Sequence, residues 1–192
     1  MINKRPSSYN TPVMASSSVK FRIKIFLYEI SPQIWRRFTV SGNATFAELH
    51  TLIQQSMGWD DKQQHEFRYG KGKKLTDVIG PKDDDIVVEG DFKEESKVIL
   101  EDFLNRKKMP FRMLYRYDFL EDWVHEVVIE KKEKMDGSTE VEAEFLEGER
   151  ACPPEDCGGA WGYMSAMEGD VEWMDDTFDP DAFDPDAVNL KI

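Results

Sequence analysis

Hydrophobic and polar residues alternate along several stretches of the chain. Phe21, Ile23, Ile25 and Leu27 alternate with Arg22 and Lys24, and after Pro32 the largely apolar residues 34–40 return as a second strand. Such alternation is typical of a strand with one buried face, and a short turn between two such strands predicts a β-hairpin. Residues 111–117 and 123–129 predict a second hairpin by the same reasoning.

The period changes to helical spacing between the two predicted hairpins. Apolar residues recur every three or four positions from Phe46 to Met57. Thr45 precedes them and Glu48 stands three residues later, which matches a capping box, while Gly58 occupies a typical position for ending a helix. These signals predict one amphipathic helix between Thr45 and Gly58.

The other segments carry weaker patterns. They predict a strand at 65–69, a short strand at 86–88 within an otherwise irregular stretch 71–96, an edge strand at 141–145, and short C-terminal helices at 162–168 and 171–178. Hairpin, helix, strand and hairpin in this order predict an α+β fold, in which a β-grasp-like mixed sheet is crossed by one main helix. Residues 1–18 are expected to form a disordered leader before a single domain of residues 19–192.

Composition narrows the class of protein. The chain has 192 residues, of which 40% are hydrophobic, so it can bury a substantial core. It contains no apolar run of 18 residues and no apolar N-terminal stretch of the secretory kind, so neither membrane association nor export is expected. Two cysteines cannot staple a fold of this size, which favours a cytoplasmic protein.

The charge is distributed unevenly. The net charge is −13, and the acidic C-terminal region, residues 135–192, holds two basic residues against 17 acidic ones. Such a region is usually a solvated surface, although it can also collect metal ions or dock a basic protein partner. A strongly acidic surface argues against nucleic acid as a partner. The oligomeric state is not predicted.

A five-residue unit occurs twice in tandem near the C-terminus. Residues 178–182 and 183–187 both read Phe-Asp-Pro-Asp-Ala. In each copy the first aspartate can cap a turn that the proline begins. Two copies are too few for a repeat architecture, so we expect capped turns that hold Phe178 and Phe183 against the domain.

His125 is a candidate for chemistry. By alternation it shares the apolar face of its strand with Trp123. It is either a core histidine or a base or metal ligand whose pKa is changed by burial. Asp118 and Asp122 at the hairpin corner are candidate partners of His125, or simply turn residues.

Cys152 and Cys157 flank the sequence Pro-Pro-Glu-Asp. They fit half of a zinc site, completed by His125, His65, His50 or nearby acids, and they also fit a redox disulfide or ordinary packing residues. No second pair of closely spaced zinc ligands is present, so no cofactor is expected and zinc is the one metal considered.

These motifs together resemble the plasmid pRiA4b ORF-3-like family of uncharacterised bacterial and archaeal proteins. The resemblance spans about residues 19–186 and rests on matching segments in the same order: 31–37, 45–50 with 57–59, 65–67, 117–125, 150–159 and 178–180. This chain has Leu120 and Ala160 where the family often has Gly and Pro. The resemblance implies a compact α+β domain and a mobile-element context, and it implies no activity.

Two functions are compatible with these observations. We expect first a non-enzymatic interaction module, with a groove between the 111–131 hairpin and the 152–159 loop that is lined by Trp123, Trp161 and Tyr163. The alternative is a metal- or thiol-dependent hydrolase. Its site would consist of five residues that have to converge: His125, Cys152, Asp118, Asp122 and Glu155.

Overall fold

The computed structural model describes residues 17–71, 74–82, 90–138, 140–170 and 177–192. The predicted strand at 86–88, most of the predicted helix at 171–178 and residues 1–16 of the predicted leader lie outside these ranges. Ser17 and Ser18 were predicted to belong to the leader, but they begin the first strand. None of the helices in the described part of the chain is long and apolar enough to cross a membrane.

In the part of the chain that the structure describes, the domain is built on one sheet of eight strands. In chain order the elements are β1 Ser17–Leu27, β2 Trp35–Ser41, α1 Phe46–Met57, β3 His65–Lys71, β4 Lys74–Gly80, β5 Phe92–Glu94, α2 Leu100–Leu104, β6 Phe111–Tyr117, β7 Trp123–Ser138, β8 Ala143–Glu149 and α3 Gly159–Glu168. The strand order is β5-β4-β3-β6-β7-β1-β2-β8. Described neighbours pair antiparallel, except that β4 and β5 run parallel.

Helix α1 forms where the sequence predicts it. The Thr45 side chain accepts a hydrogen bond from the Glu48 amide, and the Glu48 carboxylate accepts one from the Thr45 amide at 2.6 Å. Gly58 ends the helix in the left-handed conformation at φ 81°. The buried face of α1 covers the apolar face of the sheet, where Phe46 and Phe21 are fully buried. The core therefore lies between α1 and the sheet.

The other face of the sheet is polar. Cross-strand ion pairs span it, among them Arg22 with Glu133 at 3.2 Å and Arg37 with Glu130 at 2.9 Å. Partly exposed pairs of this kind contribute little to stability. They allow this side of the sheet to face water.

The predicted α+β class is confirmed, and the sheet dominates it. A β-grasp arrangement specifically is not confirmed, because β1 lies inside the sheet between β2 and β7, antiparallel to both. The prediction of an irregular segment at 71–96 is wrong, since β4 occupies residues 74–80 and pairs with β3. The polar residues Lys74, Thr76 and Asp77 do not alternate regularly with apolar ones, so the pairing with β3 decides the position of β4.

The tandem C-terminal motif holds its aromatic side chains against the domain, as predicted. The ring of Phe178 contacts Tyr163, and the ring of Phe183 lies 3.9 Å from the centre of the Arg36 guanidinium. In each copy the first aspartate accepts a hydrogen bond from the amide two residues later, at 3.0 Å. The two copies are therefore capped turns.

Candidate metal centre

His125 lies in an aromatic part of the core. Its ring meets Trp59 edge-on, with centroids 5.2 Å apart, and lies 5.4 Å from the ring of Tyr115. Neither ring nitrogen makes a hydrogen bond of normal geometry with a described residue. Complete burial lowers the pKa of His125 to about 3, against a smaller opposing effect of the Tyr115 and Trp123 backbone. His125 is therefore neutral and lacks the hydrogen bond to a carboxylate or thiol that the hydrolase alternative requires.

Asp118 and Asp122 act as corner residues. Both have positive φ, 53° and 57°. The Asp118 carboxylate accepts hydrogen bonds from the amides of Leu120 and Glu121, and Asp122 pairs with Arg116. These contacts account for both aspartates as turn residues.

Cys152 and Cys157 are free thiols. Burial raises the pKa of Cys152 well above its ordinary value and raises that of Cys157 to about 12. A nucleophilic cysteine needs the opposite shift, because the thiolate is the reactive form. Within the described ranges, neither cysteine belongs to a set of three closely spaced metal-ligating groups.

The residues expected to line a groove are in part buried. Trp123 has no exposed surface and Tyr163 is almost fully buried, whereas Trp161 is 77% exposed. Of these three residues, Trp161 is thus the one that presents a large surface to solvent. The 152–159 loop packs directly on the second hairpin, where Trp123 Nε1 donates to the Glu155 carbonyl at 3.2 Å.

A different group of polar side chains converges just below the surface. His50 on α1 and His65 at the start of β3 stack with parallel rings, 3.4 Å between centroids and 2° between planes. Asp61 Oδ1 lies 2.7 Å from His50 Nε2, and Glu95 Oε2 lies 2.7 Å from His65 Nε2. The Asp61 side chain is 49% exposed, while both histidines are buried. Asp61 is thus the solvent-facing member of the group.

The hydrogen bonds define the protonation of this group. A carboxylate can only accept, so each neutral histidine carries its proton on Nε2. The lone pair of His50 is then on Nδ1, which lies 2.8 Å from the Tyr115 hydroxyl. That hydroxyl accepts from Gln54 Nε2, also at 2.8 Å, and donates to His50. We refer to His50, Asp61, His65 and Glu95 as the histidine cluster.

The surroundings favour the neutral form of His50. Burial lowers the pKa of His50, and a positive charge on His65 would lower it further, while Asp61 opposes these effects. Neutral imidazole is the form that ligates metal ions. The electrostatics of the site therefore suit a metal-binding histidine.

Three members of the cluster have the spacing of a metal site. One ligand atom each from His50, Asp61 and His65 can be chosen so that all three lie within 4.8 Å of one another. Glu95 accepts from His65 Nε2, which is the carboxylate–histidine arrangement that orients metal ligands. Two imidazoles and a carboxylate are suitable ligands for zinc or ferrous iron.

The sequence contained a partial signal for this site. His50 and His65 were named as possible zinc ligands, but only as partners of the cysteines. His50 lies on the apolar face of α1 and His65 shares the inward face of β3 with Phe67, so both are polar residues at predicted core positions. Asp61 and Glu95 lie in connecting segments without periodicity, and only the tertiary structure brings them to the histidines.

Comparisons with known proteins agree with this fold. The chain is 31% identical over 147 residues to the uncharacterized protein y4hQ of Sinorhizobium fredii, which covers 77% of this chain and 71% of that protein. The crystal structure of MM3350 from Methanosarcina mazei Go1, a protein of unknown function, is 36% identical with a TM-score of 0.76 and covers 91% of this chain and 98% of its own. Residues 19–187 match the family described as plasmid pRiA4b ORF-3-like protein. The chain therefore belongs to the plasmid pRiA4b ORF-3-like family.

Proposed function

We propose that this protein binds a divalent transition-metal ion at His50, Asp61 and His65. The observation that carries the proposal is the spacing of their ligand atoms, all within 4.8 Å of one another. His50 lies on helix α1, Asp61 on the loop that follows it and His65 on strand β3. All three belong to the same packed domain. The fold thus holds the ligands near one another before an ion arrives, which reduces the entropic cost of binding.

An ion at this site has the surroundings of a catalytic centre. Structural zinc sites usually have four protein ligands, whereas catalytic sites have three and keep one position for water. Because Asp61 is half exposed, an ion held there would be open to water on the solvent side of the site. A bound zinc or iron ion would supply activated water there, so hydrolysis is the reaction class that we assign to the site.

Tyr115 provides a partner for His50 with and without the ion. If an ion were bound at Nε2, neutral His50 would carry its proton on Nδ1 and would donate it to the Tyr115 hydroxyl. A hydroxyl can donate or accept, so the 2.8 Å contact is satisfied in both states. For both histidines to hold one ion, the stacked rings would have to tilt apart, because parallel imidazoles do not point their in-plane lone pairs at one atom.

The test is zinc binding by metal-free protein, measured by titration calorimetry. We expect one ion per chain for the wild type. The Asp61→Asn variant should bind at least about 100-fold more weakly, since even outer-shell partners of a metal contribute 10–100-fold. Asp61 is half exposed, so circular dichroism should show the variant folded.

Asp60→Asn is the matched control. Asp60 lies on the same loop and is exposed, and the substitution removes the same charge. Within the described residues its side chain pairs with Lys62, at 2.5 Å. This variant should bind zinc as the wild type does. Absence of zinc binding by the wild type, or equal binding by Asp61→Asn, would overturn the proposal.

Cobalt distinguishes this site from one built on the cysteines. Co²⁺ bound by imidazole and carboxylate gives weak visible bands, whereas thiolate ligands add an intense charge-transfer band in the near ultraviolet. We expect no such band, and no change of the spectrum in a Cys152→Ser, Cys157→Ser variant. A thiolate band would place the ion elsewhere.

A second candidate function is that of a cytoplasmic interaction module, which the sequence favoured. Leu120 is 96% exposed and Trp161 is 77% exposed, and Glu121 beside Leu120 accepts hydrogen bonds from the amides of Gly158 and Gly159. Two large apolar side chains are thus presented near one corner of an acidic molecule. The partner that fits is a basic protein with an apolar side chain at its contact.

Paired purification tests this second function. The wild type and a Leu120→Ser, Trp161→Ser variant would be used to isolate partners from the same extract. A basic protein retained by the wild type and lost with the variant would support the module. Identical recoveries would count against it, and zinc binding should be unchanged in this variant.

A further inference from the structure

The loop 152–159 belongs to one of the segments that carry the family resemblance, and the metal proposal does not use it directly. Its contacts lead to the segment that carries Asp61. Trp59 Nε1 donates to the Pro153 carbonyl at 2.9 Å, and the Asp60 amide donates to Glu155 Oε2 at 3.0 Å. The loop therefore binds the start of segment 59–63 through the side chain of Trp59 and the backbone amide of Asp60.

Tyr117 extends the same contact to the end of that segment. Its hydroxyl donates to Glu155 Oε1 at 2.6 Å and accepts from the amides of Lys62, at 2.9 Å, and Gln63, at 3.3 Å. The amides on either side of Asp61 are thus both fixed by the Glu155–Tyr117 pair. Glu155 is itself positioned by the hydrogen bond from Trp123 Nε1 to its carbonyl.

Asp61 needs such support. Its φ is 55°, in the left-handed region that residues other than glycine seldom adopt. A residue keeps this conformation only when its surroundings impose it. In this conformation the Asp61 carboxylate reaches His50 Nε2 at 2.7 Å.

We infer that Glu155 is a positioning residue of the metal centre, holding segment 59–63 through Tyr117 and the Asp60 amide so that Asp61 points at His50. The inference rests on the metal site proposed above. It gives the Cys-Pro-Pro-Glu loop a specific role, which is to fix the exposed ligand of a site whose other ligands are fixed by the core.

Glu155→Gln is the test variant. Glutamine keeps one acceptor oxygen and replaces the other with an amide group that cannot accept from the Asp60 amide. In metal-free protein we expect the Asp60 amide to exchange with solvent at least about tenfold faster, measured by nuclear magnetic resonance. Zinc affinity should fall 10–100-fold, as for other outer-shell residues.

Asp156→Asn is the matched control. Asp156 is the next residue and is exposed, and the substitution removes the same charge. In this variant, neither the exchange rate of the Asp60 amide nor the affinity for zinc should change. Tyr117→Phe removes the hydroxyl that accepts from Lys62, so it should also lower zinc affinity. It provides a second route to the same answer if Glu155→Gln does not fold.

The possible outcomes separate the two proposals. Faster Asp60 exchange with unchanged zinc affinity would overturn the positioning role and leave the metal site standing. A lower melting temperature with full zinc affinity in the folded variant would do the same. No zinc binding by the wild type would overturn the metal site and this inference with it.

Discussion

His125 shows how a single buried residue makes stability depend on pH. Its pKa is about 3 in the folded protein and about 6.5 in an unfolded chain. Between these values the unfolded state binds a proton that the folded state does not, so stability falls as the pH falls below 6.5. The slope is about 1.4 kcal/mol per pH unit, and it is absent well above pH 6.5.

His125→Leu should remove this dependence. At pH 7 we expect the variant to be at least as stable as the wild type, because it replaces a buried ring without normal hydrogen bonds by an apolar group. From pH 7 to pH 5 the wild type should lose about 2 kcal/mol relative to the variant. Urea unfolding at both pH values measures this. His50 titrates in both proteins, so an equal pH dependence would show that His125 is protonated in the fold.

At the scale of elements, α3 is attached to the hairpin corner through two glycines. The amides of Gly158 and Gly159 donate to the Glu121 carboxylate at 3.0 and 2.9 Å. Gly159 has φ +67°, and a Cβ atom there would overlap the Glu121 carbonyl oxygen. The helix can thus approach the corner only because the residue has no side chain.

Gly159→Ala should therefore lower the free energy of unfolding by more than the left-handed backbone conformation alone would. We expect a loss of more than about 2 kcal/mol, from backbone strain and from displacement of α3. Gly58→Ala is the control, because Gly58 has φ +81° with no atom near its missing Cβ, and it should cost about 1 kcal/mol. Thermal unfolding compares the two. Equal losses would show that α3 can move away from the corner at little cost.

The same elements show which signals act locally. The α1 capping box and the alternation of β1 and β6 depend on residues close in sequence, and the sequence predicted all three elements. Strand β4 was missed, because it is a strand through its pairing with β3 and its polar residues carry no clear alternation. The position of β1 between β2 and β7 also depends on distant residues, and no local pattern encodes it.

At the scale of the whole molecule, the candidate site also combines features that are visible in the local sequence with features that depend on distant residues. Each histidine was recognisable as a polar residue on an inward face. Their stacking requires α1 to cross the sheet at the start of β3, and Asp61 reaches His50 only because residues far along the chain fix its loop. The sequence also drew attention to His125, whose burial keeps it neutral. Burial and convergence are properties of the assembled fold.

The sheet order predicts an uneven distribution of stability. β1 pairs over long registers on both sides, whereas β5 has three residues and forms the parallel edge. Amide groups of β1 and β7 should exchange only on global unfolding, and those of β5 should exchange through local opening. The histidine cluster joins these regions, because Glu95 directly follows β5 while His50 lies on the core face of α1.

Zinc should therefore slow amide exchange at the edge more than at the centre. Ligation fixes His65, and Glu95 remains bound to it, so the peptide containing residues 92–97 should gain protection. The peptides of β1 should change little, since their exchange already requires unfolding of the whole domain. Hydrogen exchange with mass spectrometry, with and without zinc, measures this difference. The Asp61→Asn variant should show no added protection of residues 92–97. Uniform protection along the wild-type chain would indicate that zinc stabilises the fold without acting through the cluster.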